Sequence, residues 1–166
     1  ISTAVVEQGY RLVFEEQARA FETAIPVADR EFRRKVRLMT RGLRSVLLRK
    51  GLLNPFRYGF YSVVLFSHKV LRRLVPFLLI ALLAVSLAGA GGSSLLLTAF
   101  VGQAIFYGLA GTGYLLRRTS LGHRKWLMIP SFYCLANLAA LLAVLNVLSG
   151  KRIERWQPQR NQNRQI

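Results

Sequence analysis

Two long stretches of the chain carry no charge. Residues 75–116 are 42 consecutive positions without Asp, Glu, Lys or Arg, and residues 126–150 form a second such run. A helix that crosses a bilayer needs ~20 mostly apolar residues. The first run is broken in its middle by the small residues AGAGGSS, so it predicts two spans, 74–90 and 95–116, closed by a tight hairpin. The second run predicts a third span over 126–148. All 31 charged residues, 24 basic and 7 acidic, lie outside the two runs. A single charge at mid-bilayer costs at least ~2.5 kcal/mol, so this partition argues for membrane spans over a soluble helical core.

Between 29 and 50 the pattern changes to that of an amphipathic helix, DREFRRKVRLMTRGLRSVLLRK. At 100° per residue Phe32, Val36, Met39, Leu43, Val46 and Leu47 share one face, and Arg33, Arg34, Arg37, Arg41 and Arg44 share another. Asp29 and Glu31 suit the positive end of the helix dipole, Arg49 and Lys50 its negative end, and Gly51 can terminate it. An apolar face opposite an arginine stripe predicts a helix lying at a membrane surface. Plain headgroup attraction accounts for that stripe, and so does a grip on a pyrophosphate. Asn54-Pro55 then offers an N-cap and a first-turn proline for a further segment. Its aromatics (Phe56, Tyr58, Phe60, Tyr61, Phe66) suit the interfacial belt, and Lys69, Arg72 and Arg73 mark the entry to the first span.

The first 25 residues have a different rhythm. STAVVEQG predicts a short helix capped at Gly9, YRLVF a short strand, and EEQARAFETAIP an irregular segment ending at Pro26. This is the rhythm of the end of an α/β domain, and it cannot fold alone. The chain also starts at Ile1 without Met, so it reads as a piece of a longer protein. Within the spans, Gly102, Gly108, Gly111 and Gly113 either allow close helix packing or are simply tolerated facing lipid. Gln103, Asn137 and Asn146 are candidates for interhelical hydrogen bonds. His68 and His123 lack the partners of a metal site and read as interfacial residues.

Composition refines this picture. The net charge is +17. Residues 1–74 hold 15 basic and 6 acidic residues, the loop 117–125 holds 4 basic, and the turn 91–94 holds none. The excess of Lys and Arg in cytoplasmic loops puts residues 1–74 and RRTSLGHRK inside, in the cytoplasmic (inner) membrane of a cell, with the AGAGGSS turn outside. Nucleic acid is the usual partner of so basic a chain. Here the basic clusters flank spans, so anionic lipids or a phosphorylated substrate explain them and nucleic acid does not. The lone Cys134 excludes an internal disulfide and a cysteine metal site. The tail 151–166, with 5 basic residues and 1 acidic, conflicts with this topology. Three spans would put it outside, against the charge rule, so its side stays open.

Taken together, GYRLVFEEQARAFE, EFRRKVRLMTRGL, SHKVLRR and SGKRIERWQPQR resemble the C-terminal part of membrane-bound family 2 glycosyltransferases. These are inverting, nucleotide-sugar-dependent enzymes of the cellulose-synthase-like and hyaluronan-synthase-like kind. The resemblance implies a mainly α membrane protein with four parts. Residues 1–25 would end an α/β GT-A-type domain, 26–69 would form amphipathic interface helices, 70–150 the roughly three transmembrane helices, and 151–166 a basic polar tail. Gly9, Tyr10, Arg11, Glu16 and Ala18 resemble a segment that follows the family's Glu-Asp catalytic base, with Glu15 equally eligible for Glu16. Neither that base nor the Asp-x-Asp site for Mg or Mn occurs in this chain, so no catalytic or metal-binding residue is assigned and the chain alone is expected to be inactive.

The substrate-binding residues carried over are Arg34, Arg37, Leu38, Trp156 and Arg160. Residues 34–38 resemble the family's Q-x-x-R-W element. Arg37 would contact the donor diphosphate, Arg34 stands where the glutamine would be, and Leu38 replaces the tryptophan that would stack on the acceptor sugar. Leucine offers no aromatic platform, which counts against long-polymer processivity. Trp156 and Arg160 resemble a tail motif placed near the cytosolic mouth of the channel. If so the tail is inside, and the third run is re-entrant or a crossing is missing from the count. The implied function is transfer of a sugar from a nucleotide-sugar donor to a polysaccharide or lipid acceptor. The alternative is a non-enzymatic basic membrane protein that binds anionic lipids or a partner. A transporter is disfavoured by the absence of a repeated half or a mid-span charge.

Overall fold

The computed structural model describes residues 2–11, 13–19 and 28–150. All regular structure among them is helical. The short α1 (Ser2–Glu7) is followed by α2 (Ala28–Leu48), a 3-10 turn Lys50–Leu53, and the short helices α3 (Pro55–Tyr58) and α4 (Phe60–Leu65). A π-helical turn, Phe66–Leu71, joins α4 to α5 (Arg72–Gly89). The chain then forms α6 (Ser94–Leu115) and α7 (Lys125–Leu148). Three helical stretches are long and apolar enough to cross a membrane: Phe60–Gly89, Ser94–Leu115 and Lys125–Leu148. The protein is a helical membrane protein.

Local chemistry explains the ends of these elements. Gly9 takes a positive φ of 86° and the Tyr10 N–H bonds the Val5 carbonyl, which closes α1 as a Schellman motif does. The Asn54 side chain accepts a hydrogen bond from the Phe56 N–H at 3.0 Å with Pro55 in the first turn, the cap expected from Asn54-Pro55. Gly59 (φ 55°, ψ −138°) then breaks α3 from α4. The expected strand at YRLVF is absent among the described residues. Residues 10, 11 and 13–15 carry no regular structure, and Val13 and Phe14 are both 86% exposed. A strand needs a neighbour to take up its backbone hydrogen bonds, and none lies beside this one among the described residues.

The first span is longer than the charge-free run. Segment 60–69, expected among the interface helices, continues through the π turn into α5, giving one 30-residue helix about 45 Å long. That exceeds the ~30 Å hydrocarbon thickness, so its basic and aromatic entry extends past the apolar layer. The turn between α5 and α6 is tight: the Gly92 and Ser93 N–H groups bond the Gly89 carbonyl, and a Cβ on Gly89 would meet the Leu96 side chain.

α7 is the centre of the bundle and packs on α5, α6 and α2. It buries Leu127, Pro130, Ser131 and the small residues Ala139, Ala140 and Ala143, which lets its neighbours approach closely. At the α6–α7 crossing a Cβ on Gly113 would stand 2.5 Å from the Leu127 carbonyl oxygen. Beside it the Ser131 hydroxyl is within 2.8 Å of both the Ala110 and Leu127 carbonyl oxygens. Gly102, Gly108 and Gly111 have open space where a Cβ would go. Of the four glycines on α6, Gly113 is the one that permits close packing. Gln103 does form an interhelical hydrogen bond, donating to Ser86 Oγ at 3.1 Å.

Candidate functional site

The arginine-bearing helix α2 docks on the bundle. Its apolar face is covered by α7, by the π turn and by the 3-10 turn, whereas the sequence pattern predicts that lipid covers it. Leu43 and Val46 are buried, and burial extends to Thr40, whose hydroxyl bonds the Val36 carbonyl. Two further contacts fix the helix along its length. Lys35 Nζ stands 3.8 Å from the centre of the Phe132 ring, a cation–π contact. Gly42 lies against Arg73, with a Cβ on it falling 3.0 Å from the guanidinium Nη2 and 3.9 Å from Lys69 Nζ. Phe132 is two turns into α7, and Arg73 and Lys69 stand at the entry to α5, so α2 runs antiparallel to both.

Its C-terminal half is tied to the rest of the chain. Val46, Leu52 and Leu65 form a buried cluster under Val6, Tyr58, Tyr61 and Val70. α1 is held there by a 2.6 Å hydrogen bond between the Thr3 and Ser45 hydroxyls and by a 2.7 Å ion pair from Glu7 to Arg49. The segment expected to end a catalytic domain is thus fastened to the end of the arginine helix.

The carried-over residues divide into two groups. Arg34, Arg37 and Leu38 share the side of α2 turned away from its buried face. Arg34 is half-buried and pairs with Glu31 at 3.5 Å, while Glu31 also reaches Lys35 at 4.0 Å. Arg37 is half-buried with no ion-pair or hydrogen-bond partner among the described residues. Leu38 is 53% exposed. Arg33 and Arg41, both exposed, extend the same side. Trp156 and Arg160, with the whole tail, lie outside the described residues. Glu15 and Glu16, in the segment after α1, are exposed.

Sequence reasoning missed the second feature of this region. A cavity of about 640 Å³ opens between α2, α5, α6 and α7, within the size range of small-molecule sites. Phe32 of α2 lines it together with aliphatic side chains of α5 and α7 and the tyrosines 107, 114 and 133. No sequence signal points to the cavity; Gly42, an isolated glycine inside an otherwise strong helix, marks only the close approach of α2 to Arg73. The divalent metal implied by the resemblance finds no ligand set here. Among the described residues no three His, Cys, Asp or Glu side chains come together.

Comparison with family models, with curated proteins and with solved structures finds no match to this chain. The fold and the site define a helical membrane protein which, among the described residues, has three helices long and apolar enough to span and a basic helix docked on them.

Proposed function

We propose that the chain is the membrane and interface portion of an inverting glycosyltransferase, which moves a sugar from a nucleotide-sugar donor to a polysaccharide or lipid acceptor. The observation that carries this reading is Arg37 on α2, half-buried, with no ion-pair partner among the described residues, on the side turned away from a firmly packed surface. A departing nucleoside diphosphate gains negative charge in the transition state. Fixed guanidinium groups stabilise that charge without reorganising. Arg37 fills this role best, because Glu31 already offsets Arg34. Leu38, exposed beside it, gives the acceptor apolar contact and no stacking platform, so acceptor hold must come from elsewhere. The general base and the metal belong to the catalytic domain that the resemblance implies upstream of Ile1.

The charge distribution supports a cytoplasmic position for α2 in an inner membrane. α7 is one uninterrupted 24-residue helix, long enough at about 36 Å to cross, which weighs against a re-entrant third run. Trp156 and Arg160 lie outside the described residues, and the proposed donor site is argued from α2 alone. Reading the coding sequence upstream of Ile1 tests the proposal. A Glu-Asp pair shortly before Ile1 and an Asp-x-Asp further upstream are expected. An upstream sequence with neither would leave a basic membrane protein that docks anionic lipids.

A further inference from the structure

Two rows of residues lead along the cavity walls, and each ends in an arginine. On α5 the lining residues Pro76, Ile80 and Leu83 recur at helical spacing, and Arg73 continues that row one turn earlier. On α6 the row Tyr107, Ala110 and Tyr114 continues to Arg117, whose guanidinium stands 4.2 Å from the centre of the Tyr114 ring. α5 and α6 form an antiparallel hairpin, so the start of one and the end of the other lie at the same end. The cavity lining is uncharged and mostly apolar, and the two arginines stand one turn beyond it at the end where α5 begins and α6 finishes.

The arginine at that mouth is incompletely satisfied. Arg73 Nε is buried and has no hydrogen-bond partner, and its Nη1 donates to the Lys69 carbonyl. Among the described residues no carboxylate pairs with Arg73 or Lys69. A buried guanidinium N–H without an acceptor is costly, and an anionic oxygen would supply the acceptor. The hydroxyls of Tyr107, Tyr114 and Tyr133 likewise have no protein partner among the described residues.

We propose that this cavity holds one anionic phospholipid of the surrounding bilayer, with its phosphate at Arg73 and Arg117 and an acyl chain between α2, α5, α6 and α7. The depth favours this occupant. The α7 wall runs from Ser131 to Leu141, ten residues or about 15 Å, which is half of the ~30 Å hydrocarbon core and so the reach of one leaflet. A long isoprenoid chain would overrun it. Phe32 closes the cavity from the α2 side, so the bound lipid would also help seat the basic helix. The inference does not depend on the transferase reading.

The test is native mass spectrometry of the purified 166-residue chain, titrated in detergent with phosphatidylglycerol, phosphatidylcholine or undecaprenyl phosphate. One phosphatidylglycerol is expected to stay bound more tightly than phosphatidylcholine. Arg73→Gln and Arg117→Gln should each weaken it about fivefold, while Arg118→Gln, on an exposed neighbour, should not. Ile80→Trp should weaken both phospholipids by filling the cavity. Equal retention of phosphatidylcholine, unchanged phosphatidylglycerol binding in the doubly substituted chain, or displacement of phosphatidylglycerol by undecaprenyl phosphate would each overturn the assignment. Should an arginine variant fail to fold, the headgroup preference of the unmodified chain and the Ile80→Trp titration decide alone.

Discussion

Replacing Gly113 by alanine should loosen the bundle, while the same change at Gly108 should not. At Gly113 the new methyl would sit 2.5 Å from the Leu127 carbonyl oxygen and 3.0 Å from its carbon. Ordinary contact begins near 3.4 Å, so the α6 and α7 backbones would have to part by about 0.9 Å. Neither contact is a flexible side-chain end that can swing away. Overpacking of this kind costs ~1–3 kcal/mol. The Ser131 bond to the Ala110 carbonyl across the same crossing is strained as well, and interhelical bonds in membranes average ~0.6 kcal/mol. Against this stands a gain of ~1 kcal/mol from replacing glycine in a helix. The net expectation is a loss of about 0.5–2.5 kcal/mol for Gly113→Ala. For Gly108→Ala and Gly102→Ala, where nothing lies within 4 Å, only the gain remains. Unfolding in mixed detergent micelles with increasing SDS, followed by far-ultraviolet circular dichroism, gives the three differences directly. Equal stabilities for Gly113→Ala and Gly108→Ala would refute the close crossing.

Three further changes probe separate parts of the structure. Lys35→Met keeps the stem but removes the charge over Phe132, so α2 should lose ~0.5–2 kcal/mol of docking energy and exchange its amide hydrogens faster, with α6 unaffected. Gln103→Leu removes the bond to Ser86 and also the buried Oε1 that has no partner. The two effects oppose each other, so stability should change by less than about 1 kcal/mol, and a larger loss in the SDS titration would show that Gln103 has a partner beyond Ser86 and the Ala99 carbonyl. Asn54→Ala removes the α3 cap and should cost about 1 kcal/mol, read as a lower midpoint in the same titration.

Much of this architecture was legible in the residues. The charge-free runs became α5, α6 and α7, because no other segment type keeps charges out for so long. Asn54-Pro55 and Gly9 signalled their caps through chemistry confined to a few neighbours. The amphipathic face of α2 was legible too, but not what covers it. Helical period assigns a face, whereas the partner, here α7, is a property of two distant segments. Lys35–Phe132 and Gly42–Arg73 are contacts of that kind, and so is the cavity, which belongs to four helices at once. The strand expected at YRLVF failed for the converse reason: β pattern without a neighbouring strand has nothing to pair with. The four glycines of α6 looked alike in sequence, and only the position of α7 separates Gly113 from the rest.

The central claim is that the outward arginines of α2 receive the diphosphate of a sugar donor. Its most direct test is sugar transfer from labelled nucleotide-sugars by membranes that contain the full reading frame bearing this chain. Arg37→Ala is expected to lower the rate at least about tenfold, equivalent to ~1.4 kcal/mol of transition-state stabilisation, with the protein still inserted at normal abundance. Transfer at the unmodified rate in that variant would contradict the account.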